Sequence, residues 1–235
     1  MIWLPAERLV FVHNPKCAGT SIHAALERLP GAEAFWGRRY DVAEDAIIDM
    51  AHLTIAQVRK RLGKDESFRS FGFVRDPYAR FVSSYLHLKR WSADHRALTL
   101  DELVFDILDE ERIRFDWKFI HFAPQYRFFY EGPQRTVDRV WKTEDLPGAW
   151  DEVRSEFSVD AKLASANRGD LRESAHLSPV VEARINQLYA RDFMLFGYAM
   201  RPVSAKPRPA RGPYAAFVEL WPERRNLDIT EASKV

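Results

Sequence analysis

Phe11-Val-His-Asn-Pro-Lys-Cys-Ala-Gly-Thr-Ser21 is the stretch on which the reading of this chain turns. The apolar run Leu9 to Val12 predicts a short buried strand, and the amphipathic run Ile22 to Leu29 predicts a helix. Between them lie one lysine, one glycine and two adjacent hydroxyls. An α/β protein builds an anion site from such a strand, polar loop and helix. The N–H groups of the first helical turn lack intrahelical partners, and the aligned peptide dipoles favour negative charge there. Lys16 adds a mobile cation, Thr20 and Ser21 add hydroxyl donors, and Gly19 lets backbone approach a ligand closely. A plainer reading, in which Thr20 and Ser21 only cap the helix, leaves the lysine without a purpose.

The loop differs from the nucleotide-triphosphatase pattern G-x-x-x-x-G-K-[ST], in which the lysine follows the second glycine. Here Lys16 precedes Gly19 and no other glycine opens the loop. Magnesium-phosphate chemistry also wants an acid at the end of another buried strand. Asp76 comes nearest, but between Arg75 and Pro77 it reads as a turn-shaping residue. The expectation is a phosphate or sulfate site with no obligatory metal.

A second stretch, Phe71-Gly-Phe-Val-Arg-Asp-Pro-Tyr-Ala-Arg-Phe-Val-Ser-Ser-Tyr85, predicts a strand over Phe71 to Val74. Asp76 then serves as N-cap and Pro77 as first helical residue. Tyr78, Phe81, Val82, Tyr85 and Leu88 form the apolar stripe of the helix that follows. Arg75 at the strand end and Ser83 two turns along can close on one anion from two sides, the planar arginine fork matching two phosphate oxygens.

Together the two stretches resemble the sulfotransferases, in particular the carbohydrate-type branch that uses 3′-phosphoadenosine 5′-phosphosulfate (PAPS). That family's P-K-x-x-G-T-S pattern is matched by Pro15-Lys16-Cys17-Ala18-Gly19-Thr20-Ser21, and its strand-end arginine with a serine eight residues on by Arg75 and Ser83. The resemblance implies an α/β, P-loop-like, three-layer fold with a central parallel sheet flanked by helices. It implies that residues 16–21 grip the 5′-phosphosulfate and that Arg75 and Ser83 hold the 3′-phosphate. It adds a late donor ligand, for which Arg168 in Ala166-Asn-Arg-Gly-Asp170 is the candidate, though a solvated arginine turn reads equally well. The stretch Ile185 to Tyr198 is similar to the family's closing helix.

Sulfuryl transfer also needs a base for the acceptor hydroxyl, and histidine has the suitable pKa. Of seven histidines, His52 is the first choice, because the resembled branch places a G-H element between its donor motifs. Here Ala51 stands in the glycine's place, and Asp49 and Glu44 are nearby substitutes. His121, in Phe119-Ile-His-Phe-Ala-Pro-Gln125, is the second active-site candidate, orienting the acceptor. A nucleotide kinase and a glycan-binding protein without turnover remain the rival classes.

The chain has 235 residues, 46% of them hydrophobic, with 35 basic against 34 acidic side chains. A polyanionic ligand must therefore meet a local cluster, and no nucleic-acid or membrane bias follows from net charge. The single cysteine, Cys17, excludes an internal disulfide and reads as a small space-filler or a redox-sensitive thiol. The opening residues show neither a basic start nor a long apolar run, so a cytoplasmic, bacterial-type enzyme with no membrane span is expected. The acceptor is expected to be a carbohydrate or small molecule, and PAPS the cofactor, its product 3′-phosphoadenosine 5′-phosphate (PAP). Residues 1–200 form the expected catalytic domain. Residues 201–235 read as a Pro-rich basic linker and a docking segment, Tyr214 to Trp221, able to reach a second copy of the chain.

Overall fold

The computed structural model describes residues 1–42, 45–63, 67–90, 93–163 and 175–205. Glu44, Arg168 and the chain beyond residue 205, including Tyr214 to Trp221, lie outside the described residues.

The chain folds as a mixed α/β structure around a five-stranded sheet. Its strands are β1 (Ile2–Leu4), β2 (Leu9–Val12), β3 (Glu33–Ala34), β6 (Arg69–Val74) and β9 (Arg139–Lys142), in the order β3-β1-β2-β6-β9. Two small hairpins lie apart from it: β4 (Arg38–Asp41) with β5 (Ala46–Asp49), and β7 (Tyr130–Glu131) with β8 (Gln134–Arg135). The centre, β2-β6-β9, is parallel, with Phe11 opposite Phe71 and Phe71 opposite Arg139. The expected central parallel sheet is a mixed one, because β1 runs antiparallel to both β2 and β3. Only four residues join Leu4 to Leu9, a span that closes a hairpin but not a crossover.

Alternation along β2 sets the layers. Leu9 and Phe11 pack on one face with α1 (Gly19–Leu26) and the helix Leu146–Phe157. Val10 and Val12 pack on the other with α2 (Ile55–Leu62) and the turn Tyr126–Phe129. A third apolar cluster joins α3 (Pro77–Leu88) to the segment Leu103–Ile107, the turns around Phe119 and Phe122, and the last two helices, Pro179–Leu188 and Ala190–Phe196. Most aromatic rings of the middle of the chain are consumed in this packing. Among the described residues, no helix is long and apolar enough to cross a membrane.

Local signals account for most boundaries. Asp76 Oδ1 accepts from Ala79 N at 2.9 Å with Pro77 at the helix start, and Thr54 and Gln57 form a capping box on α2. Two expectations shift, over α1 and over the closing helix. α1 starts at Gly19 rather than Ile22. β9 begins at Arg139, since Asp138 turns its carboxylate onto Ser70 N and Oγ instead. The closing helix breaks in two at Tyr189. Arg201 is packed rather than free: its N–H donates to Tyr78 Oη at 2.8 Å, and its guanidinium lies over the Tyr78 ring at 4.4 Å.

Candidate active site

Parallel strands present their carboxyl ends together, and in open α/β sheets ligands bind there. Here β2 delivers the loop from His13 to Ala18, β6 delivers Arg75, and β9 delivers Glu144.

The loop is held in an unusual conformation. Lys16 (φ 65°) and Ala18 (φ 58°) are both left-handed, which bulky or β-branched residues avoid and non-glycine residues adopt sparingly. Alternation of this kind turns successive N–H groups to one side as an anion-binding nest. Among the described residues, no acceptor pairs with the amides of Lys16, Cys17 and Ala18, and Ala18 leaves the start of α1 without a side-chain cap. Thr20 is exposed and Ser21 half-buried at that helix start.

The loop is anchored from below. Asn14 Nδ2 donates to Phe73 O at 2.9 Å and to Gln125 Oε1 at 3.1 Å. Gln125 in turn bridges the end of β6, accepting from Arg75 N and donating to Arg75 O, both at 2.9 Å. The buried Arg80 donates from Nε to Pro15 O at 3.1 Å and from a terminal nitrogen to Ala123 O at 2.6 Å. Asp192 receives the amides of Gln125 and Tyr126, and burial raises its carboxyl to about 6. Gly19 also makes room for a neighbouring ring. A Cβ there would stand 1.7 Å from the His13 ring, so the imidazole occupies the space a side chain would need.

Above the loop three cations come together. Lys16 is lowered to about 8, first by burial and then by Arg90 and Arg75. Lys16, Arg75 and Arg90 carry no side-chain hydrogen bond or ion pair among the described residues. Cys17 is buried, and its thiol is pushed up to about 12 by burial, which suits a space-filler rather than a reactive thiolate. Ser83 lies half-buried on α3, one turn from His87.

His52 sits in the turn after β5, 8% exposed, with Nδ1 at 2.9 Å from the carbonyl oxygen of His13. A carbonyl can only accept, so Nδ1 carries the proton and Nε2 keeps its lone pair. Burial lowers its pKa, leaving it neutral near pH 7, while Asp49 opposes that shift. His121 is its neighbour, with ring centroids 5.3 Å apart. His121 and His87 line a small cleft shared with Arg38, Asp49, Trp117 and Lys118.

The structure thus gathers Lys16 to Ser21, Arg75, His52 and His121 at one end of the sheet. Arg80, Arg90, Asn14 and Gln125 were not singled out in the sequence. The signal for two of them is present: Arg80, Ser84 and His87 follow helical spacing along α3, and Arg90 continues it in the turn just past the helix end. Asn14 and Gln125 act through contacts between segments far apart in the chain, which no local pattern announces.

The chain matches the sulfotransferase family over residues 1–199. It belongs to that family. Membership fits sulfuryl-group transfer in general, and the match spans every residue of the site just described. Neither a curated protein nor a solved structure matches this sulfotransferase.

Proposed function

We propose that this sulfotransferase transfers a sulfuryl group from PAPS to an acceptor hydroxyl on a sugar or small metabolite. The observation that carries the reading is the nest at Lys16 to Ala18, with unpaired amides, beside Lys16, Arg75 and Arg90, whose side chains form no ion pair among the described residues. Such a cluster fits a ligand bearing several negative charges at two separated points, as a phosphosulfate and a 3′-phosphate would. When bound, PAPS supplies the sulfuryl group and leaves as PAP.

The loop amides and Lys16 hold the 5′ end, and the lysine stabilises charge on the bridging oxygen as the S–O bond breaks. Arg75 and Ser83 hold the 3′-phosphate, with Arg90 adding positive potential. His52 takes the acceptor proton at Nε2, its tautomer fixed by the His13 carbonyl. His121 and the cleft beside it orient the acceptor, Trp117 supplying an aromatic wall against which a sugar ring can lie.

The kinase alternative finds less support. Asp76 is committed to capping α3, and both carboxylate oxygens of Glu144 are taken, by Asp76 N at 2.7 Å and Tyr198 Oη at 2.9 Å.

Calorimetry with PAP in the absence of magnesium tests the proposal. Saturable binding, competed by PAPS, is expected. Binding of ATP with magnesium and none of PAP would sink it.

A further inference from the structure

Gln125 is completely buried, and both polar atoms of its side chain are used. Oε1 accepts from Arg75 N at 2.9 Å, from Asn14 Nδ2 at 3.1 Å and from Cys17 Sγ at 3.4 Å. Nε2 donates to Arg75 O at 2.9 Å. A backbone N–H can only donate and a carbonyl can only accept, so Arg75 fixes which way the amide points. Asp192, on the last helix, takes the backbone amides of Gln125 and Tyr126 at 2.8 and 2.9 Å, so the side chain stands on a secured base.

The sheet stops holding its strands together where the site begins. The β2–β6 ladder ends with Val12 opposite Gly72, and the β6–β9 ladder with Val74 opposite Lys142. Beyond those pairs β2 runs on into the loop that carries Lys16, and β6 runs on to Arg75. Side chains take over from the ladder there. Asn14 Nδ2 reaches Phe73 O at 2.9 Å, and Gln125 fastens both backbone groups of Arg75 while it grips Asn14 and Cys17. Each end has support of its own as well. Arg80 Nε holds Pro15 O at 3.1 Å, and Asp76 N donates to Glu144 Oε1 at 2.7 Å. Gln125 belongs to neither end and bonds to both.

We propose that Gln125 is a positioning residue that sets the spacing between the loop subsite and the Arg75 subsite, and so makes the site prefer a nucleotide phosphorylated at both 3′ and 5′ over one phosphorylated at either alone. The inference rests on the reading of the cluster as a PAPS site. Once one phosphate is seated, the second meets its partners as if at high concentration, provided the subsites stand at the matching separation. Gln125, with no exposed surface, touches neither phosphate; its amide is spent on Arg75, Asn14 and Cys17. Without it, Arg75 and the loop are free to shift against each other, while Arg80, Glu144 and the ladders keep each end formed. Each single contact then survives, and the gain from making both at once is lost.

The test is calorimetry on the full chain with PAP, adenosine 5′-phosphate and adenosine 3′-phosphate, the weaker ligands titrated against bound PAP. Gln125→Met is uncharged, close in volume and removes every side-chain bond. Gln125→Asn keeps an amide one methylene shorter and serves if the methionine variant does not fold. In a folded variant PAP should bind about tenfold more weakly, the size of a lost buried hydrogen bond, and each single-phosphate nucleotide less than about twofold more weakly. A residue needed only for packing predicts that all three ligands weaken by the same factor. That result, or an unchanged affinity for PAP, overturns the proposal. Wild-type protein that binds PAP no more tightly than adenosine 5′-phosphate overturns it alone and leaves the PAPS reading standing. Wild-type protein that fails to bind PAP brings down that reading, and the positioning role with it.

Discussion

Lys16 holds its ammonium among Arg75 and Arg90 with no carboxylate partner, on a left-handed backbone residue. Strain of that kind costs about 1–3 kcal/mol and persists where surrounding structure enforces it. Here the enforcement comes from Arg80 on Pro15 O and from Asn14 and Gln125 beneath the loop. Lys16 and Arg75 then differ in what each should do. In the proposed reading Lys16 meets charge that grows only as the S–O bond breaks, so Lys16→Ala should lower turnover far more than it weakens PAP binding. In that reading Arg75 meets a phosphate equally charged before and after transfer. Arg75→Ala should cost PAP affinity about 1.5–3 kcal/mol, roughly ten- to a hundredfold, with a smaller effect on the chemical step. Calorimetry and single-turnover transfer on the two variants separate these outcomes, and equal small losses from both would place the site elsewhere.

The elements around the site were legible to different degrees. β2, β6 and α3 follow from apolar runs, from Arg75 closing a strand and from Asp76-Pro77 opening a helix, because those signals are local. The edge strands, the break at Tyr189 and the bridging by Gln125 depend on contacts between distant segments, so pattern alone could not supply them. Gly19 has a packing role that its place in the loop does not announce. Its lack of a side chain admits the His13 ring, whose carbonyl in turn fixes the tautomer of His52. A methyl at position 19 must therefore push that ring aside at the point where β2 passes into α1. Gly19→Ala should destabilise the fold by about 1–3 kcal/mol, as overpacked sites do. It should also shift the His52 ring resonance and weaken PAP binding. Thermal unfolding and the histidine NMR spectrum check this together, and an unmoved His52 signal would show that His13 does not couple loop to base.

For the whole molecule, the site concentrates groups that folding holds away from their preferred protonation. His23 and His87 are each lowered to about 4, chiefly by burial, and His13, His52 and His121 are lowered for the same reason. In the unfolded chain these imidazoles charge near pH 6.5. Between about 6.5 and 4 the unfolded state binds more protons, so the stabilising contribution of the neutral imidazoles is complete above about 6.5 and is lost as pH falls. Asp192, raised to about 6, has the opposite sign over much of that window, but it is one carboxyl against five imidazoles. The melting temperature should therefore fall between pH 6.5 and 4 with a slope exceeding one proton. Lys16 belongs to the same electrostatic account: held near 8, it makes the protein less stable at neutral pH than a solvated lysine would, until an anion arrives. PAP at a hundred times its dissociation constant adds about 2.7 kcal/mol by mass action, which for a chain of this size is a rise of roughly 5–10 °C. Because the bound anions also draw the lysine and the nearest imidazoles back toward their charged forms, binding should take up protons, and the PAP-induced rise should grow from pH 8 toward pH 6. Melting curves with and without PAP across that range read this directly, and a rise that shrinks toward acid would mean that the anion sits away from Lys16 and these histidines.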